Sequence, residues 1–178
     1  MASQTPAPAV GAAPQIAPGD WRLDPARSHV RFHTRAMFGL FPVLGRFEKF
    51  EGSLHVDPSG RSSGELTIEA ASIRTGIALR DAHLRTKDFF HAREHPRLTF
   101  SLDGLEPDGD SHVLTGTLRV RDAELPVRAH ATLGSEGSEA RIAARFELDH
   151  DAAGLGWAKP GMVPGSVEAD VELTLERA

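Results

Sequence analysis

The sequence predicts an all-β protein, an antiparallel sheet of about eight strands closed into a barrel, with one short α-helix over about residues 77–87. Three observations lead there. Apolar and polar residues alternate with a period of two through most of the chain. Turn-forming runs punctuate that alternation: Asp57-Pro58-Ser59-Gly60, Glu106-Pro107-Asp108-Gly109-Asp110 and Gly134 to Ser138. Only one stretch is clearly written as a helix. Short connections and strands with one dry face argue for antiparallel pairing rather than βαβ units.

In chain order, Val30 and Phe32 face one way while Arg31, His33 and Arg35 face the other. The segment from Ala36 to Phe47 is too crowded with apolar residues for alternation. Gly39, Pro42 and Gly45 argue against a long helix there, so it is expected to cap, line or plug one end of the barrel. Phe50, Leu54 and Val56 share a face with Gly52. Leu66, Ile68 and Ala70 form the next dry face. Thr75 is placed to cap the helix, and Asp81 and Arg85 are expected to pair at i,i+4 on its exposed face. Ile77 and Leu84 fall on another face. Phe89 and Phe90 follow and need something to bury against, so this segment is expected to close one side or end of the barrel. The later dry faces are Leu98, Phe100 and Leu102; Leu114, Gly116, Leu118 and Val120; Leu125, Val127, Ala129 and Ala131; Ile142, Ala144, Phe146 and Leu148; and Val167 to Leu175.

Small residues recur on those faces: Gly52, Ala70, Gly116, Ala129, Ala131, Ala144 and Ala169. They either fit the taper of a filled barrel or hold open a cavity that an apolar ligand completes. A barrel of about eight strands accommodates either.

The chain has 178 residues and a net charge of −5. It reads as one domain, able to bury roughly two-thirds of its unfolded surface. Its charge balance offers no nucleic-acid groove and no polybasic membrane patch. Cysteine is absent, which removes disulfides, thiolate metal sites and cysteine nucleophiles. Residues 1–19, rich in Ala and Pro, are expected to be disordered, leaving 20–178 as the domain. They lack the basic start and unbroken apolar run of a signal peptide, so the expected compartment is the cytoplasm. No stretch approaches the ~20 apolar residues of a membrane helix.

Few constellations suggest chemistry. His91-Ala92-Arg93-Glu94-His95 spells an inverted zinc-protease motif. Pro96 pushes His95 out of the helical region, so these residues are expected to form a solvated turn without a metal. Ser28 and His29 lie on opposite strand faces, against a hydrolytic triad. No phosphate loop or dinucleotide fingerprint occurs.

The run Ala71-Ser72-Ile73, Thr75-Gly76, Arg80-Asp81-Ala82-His83-Leu84-Arg85, Asp88-Phe89-Phe90 and Pro96 resembles the signature of the YceI-like lipid-binding family. Leu23-Asp24-Pro25-Ala26, Ser28 and Gly45-Arg46-Phe47 extend the resemblance, which runs from about Asp20 to the C-terminus. It implies a lipocalin-like barrel that sequesters or carries a long-chain amphiphile: a polyisoprenoid, an isoprenoid quinone or a fatty-acid derivative. It implies no catalytic activity and no cofactor beyond such a lipid, and it is compatible with a homodimer. With the alternation, it marks Phe32, Met37, Phe38, Phe41, Phe50, Leu84, Phe89, Phe90, Phe100, Leu118 and Trp157 as the apolar lining. Arg80 and His83 either meet the ligand's head group or only tie the helix to its neighbours. The chain departs from the family pattern at Arg27, at Asp122 to Pro126 and at Asp149 to Gly154, where polar anchors and an aromatic are lost.

Overall fold

The computed structural model describes residues 14–36, 41–149, 152–155 and 166–178. Its eleven strands lie in one antiparallel sheet. They are β1 Gly19–Leu23, β2 His29–Ala36, β3 Phe41–Phe47, β4 Phe50–Val56, β5 Ser62–Glu69, β6 Ile73–Arg74, β7 Arg97–Asp108, β8 Ser111–Val120, β9 Ala123–Glu136, β10 Glu139–Asp149 and β11 Ser166–Arg177. One helix, α1, spans Ala78–Leu84. The sheet closes because β1 pairs with both β4 and β11.

Eleven strands make eight staves, since three staves are each broken in two. A 3-10 turn at Pro25–Arg27 separates β1 from β2. Glu48 and Lys49 separate β3 from β4, and a second 3-10 turn, Ala70–Ser72, separates β5 from β6. Below the breaks, β1 lies between β11 and β4; above them, β2 lies between β11 and β3, and β6 pairs with β3.

A broken strand leaves backbone groups without ladder partners, and those groups must be satisfied when buried. Two buried serines do this. The Ser72 Oγ accepts from the Glu48 and Lys49 N–H groups at 3.2 and 3.1 Å and donates to the Glu69 carbonyl at 2.7 Å. It thereby joins two of the three breaks. The Ser28 Oγ accepts from the Thr174 N–H at 2.9 Å and donates to the Asp24 carbonyl at 2.7 Å, fastening the third break to β11. Arg27 adds a surface clamp, reaching Asp24, Glu139 and Glu176 at 2.7, 2.5 and 2.7 Å. Its guanidinium holds the Asp24 and Glu139 carboxyls below their ordinary values.

The breaks divide a packed half from a hollow one. In the packed half Trp21 is 1 % exposed and sits with Leu23, Leu54, Val56, Leu102, Leu105, Leu133, Ala140 and Leu175. Ile16 is buried with them, the Trp21 indole N–H donates to the Ala17 carbonyl at 3.0 Å, and Gly19 begins β1. The end of the expected tail therefore belongs to the fold; residues 1–13 lie outside the described residues.

Several local expectations are corrected. The segment from Phe41 to Phe47 is a strand, not a plug; apolar side chains on both of its faces hid the alternation, with Val43 buried and Leu44 68 % exposed. The helix ends at Leu84, because the Thr86 hydroxyl and the Phe90 N–H take the carbonyls of His83 and Leu84. Thr75 does not cap it; Ile77 is the N-cap residue, and the Thr75 N–H and hydroxyl both donate to Asp81. Asp81 is thus buried at 5 % exposure rather than paired on the surface with Arg85, which instead donates to the Ile73 carbonyl.

Two inward glycines are seats for rings. Phe32 lies across the sheet from Gly45, and a Cβ there would collide with its ring. Gly116 takes the Phe100 ring in the same way, so its space is filled rather than void.

His112 is 2 % exposed, on the same inward face as Leu114 and Gly116, and its Nδ1 has no hydrogen-bond partner. Burial disfavours the imidazolium and lowers its pKa below the ordinary value. The unfolded chain then binds the extra proton, so His112 contributes stability above an unfolded pKa near ~6.5 that is lost as pH falls below it. A His112→Leu protein should lose less stability than wild type between about pH 8 and pH 5 in urea titrations; equal losses would contradict this. Ser72→Ala orphans the Lys49 N–H and leaves the Glu48 N–H only the Ser72 carbonyl, and should cost ~1–3 kcal/mol in the same measurement, against no change if the serine is incidental.

Candidate functional site

Above the breaks the staves enclose a cavity of about 370 Å³. Its wall is built from the inward faces of the strands. β2 and β3 supply Val30, Phe32, Val43 and Phe47; β5 and β7 supply Leu66, Ile68, Leu98 and Phe100. β8 and β9 add Leu114, Leu118, Val120 and Leu125, and β10 and β11 add Ile142, Ala144, Phe146, Leu148, Val167, Ala169, Val171 and Leu173. Ala144 lies opposite Val171, and Ala169 lies between Phe32 and Phe146. These two alanines withhold volume where neighbouring staves supply large side chains.

One end is closed by the segment that follows β6. Leu84, Phe89 and Phe90 line the cavity from above, with the Phe90 ring edge-on to Phe47 at 5.8 Å. Arg121, in the turn between β8 and β9, donates to the carbonyls of Phe89 and Gly154 at 2.9 and 3.2 Å, holding the cover to the barrel.

The ionisable residues bordering the cavity are Arg31, Arg35, Arg80 and His83; among the described residues no Asp or Glu borders it. Strand alternation turns Arg31 and Arg35 toward solvent, and helix α1 supplies the other two. Arg80 is held in place rather than loose. Its Nε donates to the Thr75 hydroxyl at 2.7 Å and one Nη to the Thr75 carbonyl at 2.9 Å, while Thr75 is fixed by buried Asp81. His83 is exposed, edge-on to Phe89 at 5.2 Å and 3.7 Å from Asp88.

Of the residues marked from sequence, Phe32, Leu84, Phe89, Phe90, Phe100, Leu118, Arg80 and His83 line the cavity. Phe50 does not: it opens β4 on the packed side of the break and is buried in the core. Met37, Phe38 and Trp157 lie outside the described residues, as does the side chain of Phe41. Sequence reasoning missed the β10 and β11 wall. The alternation of Ile142 to Leu148 and Val167 to Leu173 carried that signal; aromatic residues drew the attention instead. His91 and His95 sit in turns with rings 5.7 Å apart, and His91 adopts φ 49°. Among the described residues no three His, Cys, Asp or Glu side chains converge as a metal site. The Ser28 hydroxyl is spent on Asp24 and Thr174.

Comparison with known proteins agrees with this architecture. A relative from Photorhabdus laumondii, described as a UPF0312 protein, is 31% identical over 139 residues, covering 75% of this chain and 72% of its own. Protein YceI of Escherichia coli O157:H7 is 29% identical over 123 residues, covering 67% of this chain and 64% of its own. Among solved structures, BcnA of Burkholderia cenocepacia superposes with a TM-score of 0.78 at 24% identity, covering 85% of this chain and 98% of BcnA. A polyisoprenoid binding domain from Saccharophagus degradans gives 0.73 at 15% identity, covering 89% and 98%. The family model described as YceI-like domain matches residues 21–177, and the chain belongs to that family.

Proposed function

We propose that this protein binds one long-chain amphiphile in the hollow half of its barrel and sequesters or carries it. The observation that carries the reading is the cavity: about 370 Å³, walled by apolar side chains and bordered by Arg80 and His83 at the helix. That volume falls within the ~300–1,000 Å³ of small-molecule sites. An unfilled apolar space forfeits dispersion contacts along its whole wall, and an apolar guest restores them. The related polyisoprenoid binding domain supports a prenyl chain as guest, and a fatty-acid or quinone tail meets the same wall.

Binding here is burial. Each methylene taken from water contributes ~0.8 kcal/mol, so a chain of several units needs few polar contacts. Polarity then decides orientation. The tail occupies the space below Phe100 and Leu118, and the head group lies at α1, within reach of Arg80 and His83. Among the described residues no nucleophile with its base faces the cavity, and the proposed role is binding rather than catalysis.

Filling the space tests this. Ala144→Phe places a ring where the guest would lie. Losing two methylenes' worth of burial is ~1.6 kcal/mol, so affinity for a fluorescent prenyl or fatty-acyl ligand should fall about tenfold or more. Unchanged affinity in the folded variant would remove the cavity as the binding site. Arg80→Met should weaken ligands with a polar head more than the bare hydrocarbon; equal effects on both would leave Arg80 with a purely structural role.

A further inference from the structure

The described residues expose three large apolar side chains: Leu44 at 68 %, Ile77 at 53 % and Leu79 at 83 %. Single exposed leucines are ordinary on soluble proteins. These three are not scattered. β3 pairs with β6 through Arg46 opposite Arg74 and Phe47 opposite Ile73. Helix α1 follows β6 after the turn at Thr75 and Gly76 and packs against it, so Ile77 and Leu79 lie on the same side of the barrel as Leu44 on β3. All three therefore crown one rim of the hollow half, next to the cavity-lining Val43 and Arg80.

The same rim carries a row of arginines. Arg31 lies directly across from Arg46 on β3, and Arg46 directly across from Arg74 on β6. Like charges set opposite in a sheet repel and cost stability. Glu48 partly offsets them, 2.8 Å from Arg46 and 3.4 Å from Arg74, and Glu172 lies 3.8 Å from Arg31. Asp170 lies directly across from Arg31 on β11, but it and Glu168 engage Arg145. Arg35 and Arg80 pair with no carboxylate among the described residues. The rim is locally cationic on a chain whose net charge is −5.

We propose that this rim docks on anionic lipid bilayers, with Leu44, Ile77 and Leu79 inserted at the head-group boundary and the arginine row against lipid phosphates. The cation row matches an array of phosphates, whereas the charge of the rest of the chain is net negative. Three apolar side chains fall short of the ~1,600 Å² of a stable protein pair, but they suit reversible interfacial attachment. Attachment by this rim would bring the covered end of the cavity to the phase where a long-chain amphiphile resides. The docking rests on the carrier reading for its purpose and on the rim alone for its geometry.

Vesicle flotation tests it, using the full chain with phosphatidylcholine vesicles that contain or lack phosphatidylglycerol. Wild type should float with the anionic vesicles only, and added salt should release it. Leu44→Glu with Leu79→Glu should cut that binding at least about tenfold, while uptake of a fluorescent fatty acid in vesicle-free buffer stays unchanged. Leu79→Glu alone, at the most exposed position, provides the same readout should the double variant fold poorly. Wild type that ignores anionic vesicles, or variants that float as well as wild type, overturn the docking. Normal vesicle-free uptake in that case would leave the carrier reading intact; loss of uptake with docking retained would do the reverse.

Discussion

The fold depends on how its broken staves are satisfied. Ser72 and Ser28 are small, buried and placed where strands stop and restart. Each hydroxyl both donates and accepts, so one atom settles backbone groups that a continuous ladder would have used. With that done, β2, β3 and β6 are free to run apart from the line of β1, β4 and β5. The barrel is therefore narrow and filled on one side of the breaks and wide on the other.

The division of labour follows from that geometry. The narrow half holds the apolar core: Trp21 at 1 % exposure, Leu54 at 3 % and Val56 at 2 % are shut off from solvent. The wide half holds the proposed site. Its walls are as apolar as a core, yet Ala144 and Ala169 keep its centre from filling. Rings that could have occupied it are drawn aside onto glycine, Phe32 over Gly45 and Phe100 over Gly116. The α1 cover adds a guanidinium braced by Thr75 and buried Asp81, so that polar group at the wall is fixed in place.

Much of this was legible in the sequence. The alternation of Leu98, Phe100 and Leu102, or of Ile142 to Leu148, gives strand and facing at once, and the run from Arg80 to Phe90 gives the cover. What stayed hidden needed register or a second element. Leu44 disguised β3, because an outward leucine breaks the alternation that a strand should show. Ser28 and Ser72 read as solvent residues until their partners are known. Gly116 read as space and Gly45 as a break against helix, although each seats a ring from the adjacent strand. Thr75 carried the right residue type for a cap but donates to Asp81 instead, since the chain turns before the helix begins. His112 was visible in principle: it lies two residues before Leu114 on the same face.

The central claim is that the wide half is completed by a guest rather than by the chain itself. Native mass spectrometry of protein purified without detergent or organic solvent reads this directly. The account predicts a folded species heavier than the polypeptide by one apolar molecule, released as a discrete lipid on activation. A population consisting only of the bare polypeptide mass, which also takes up no added prenyl or acyl chain, would contradict it.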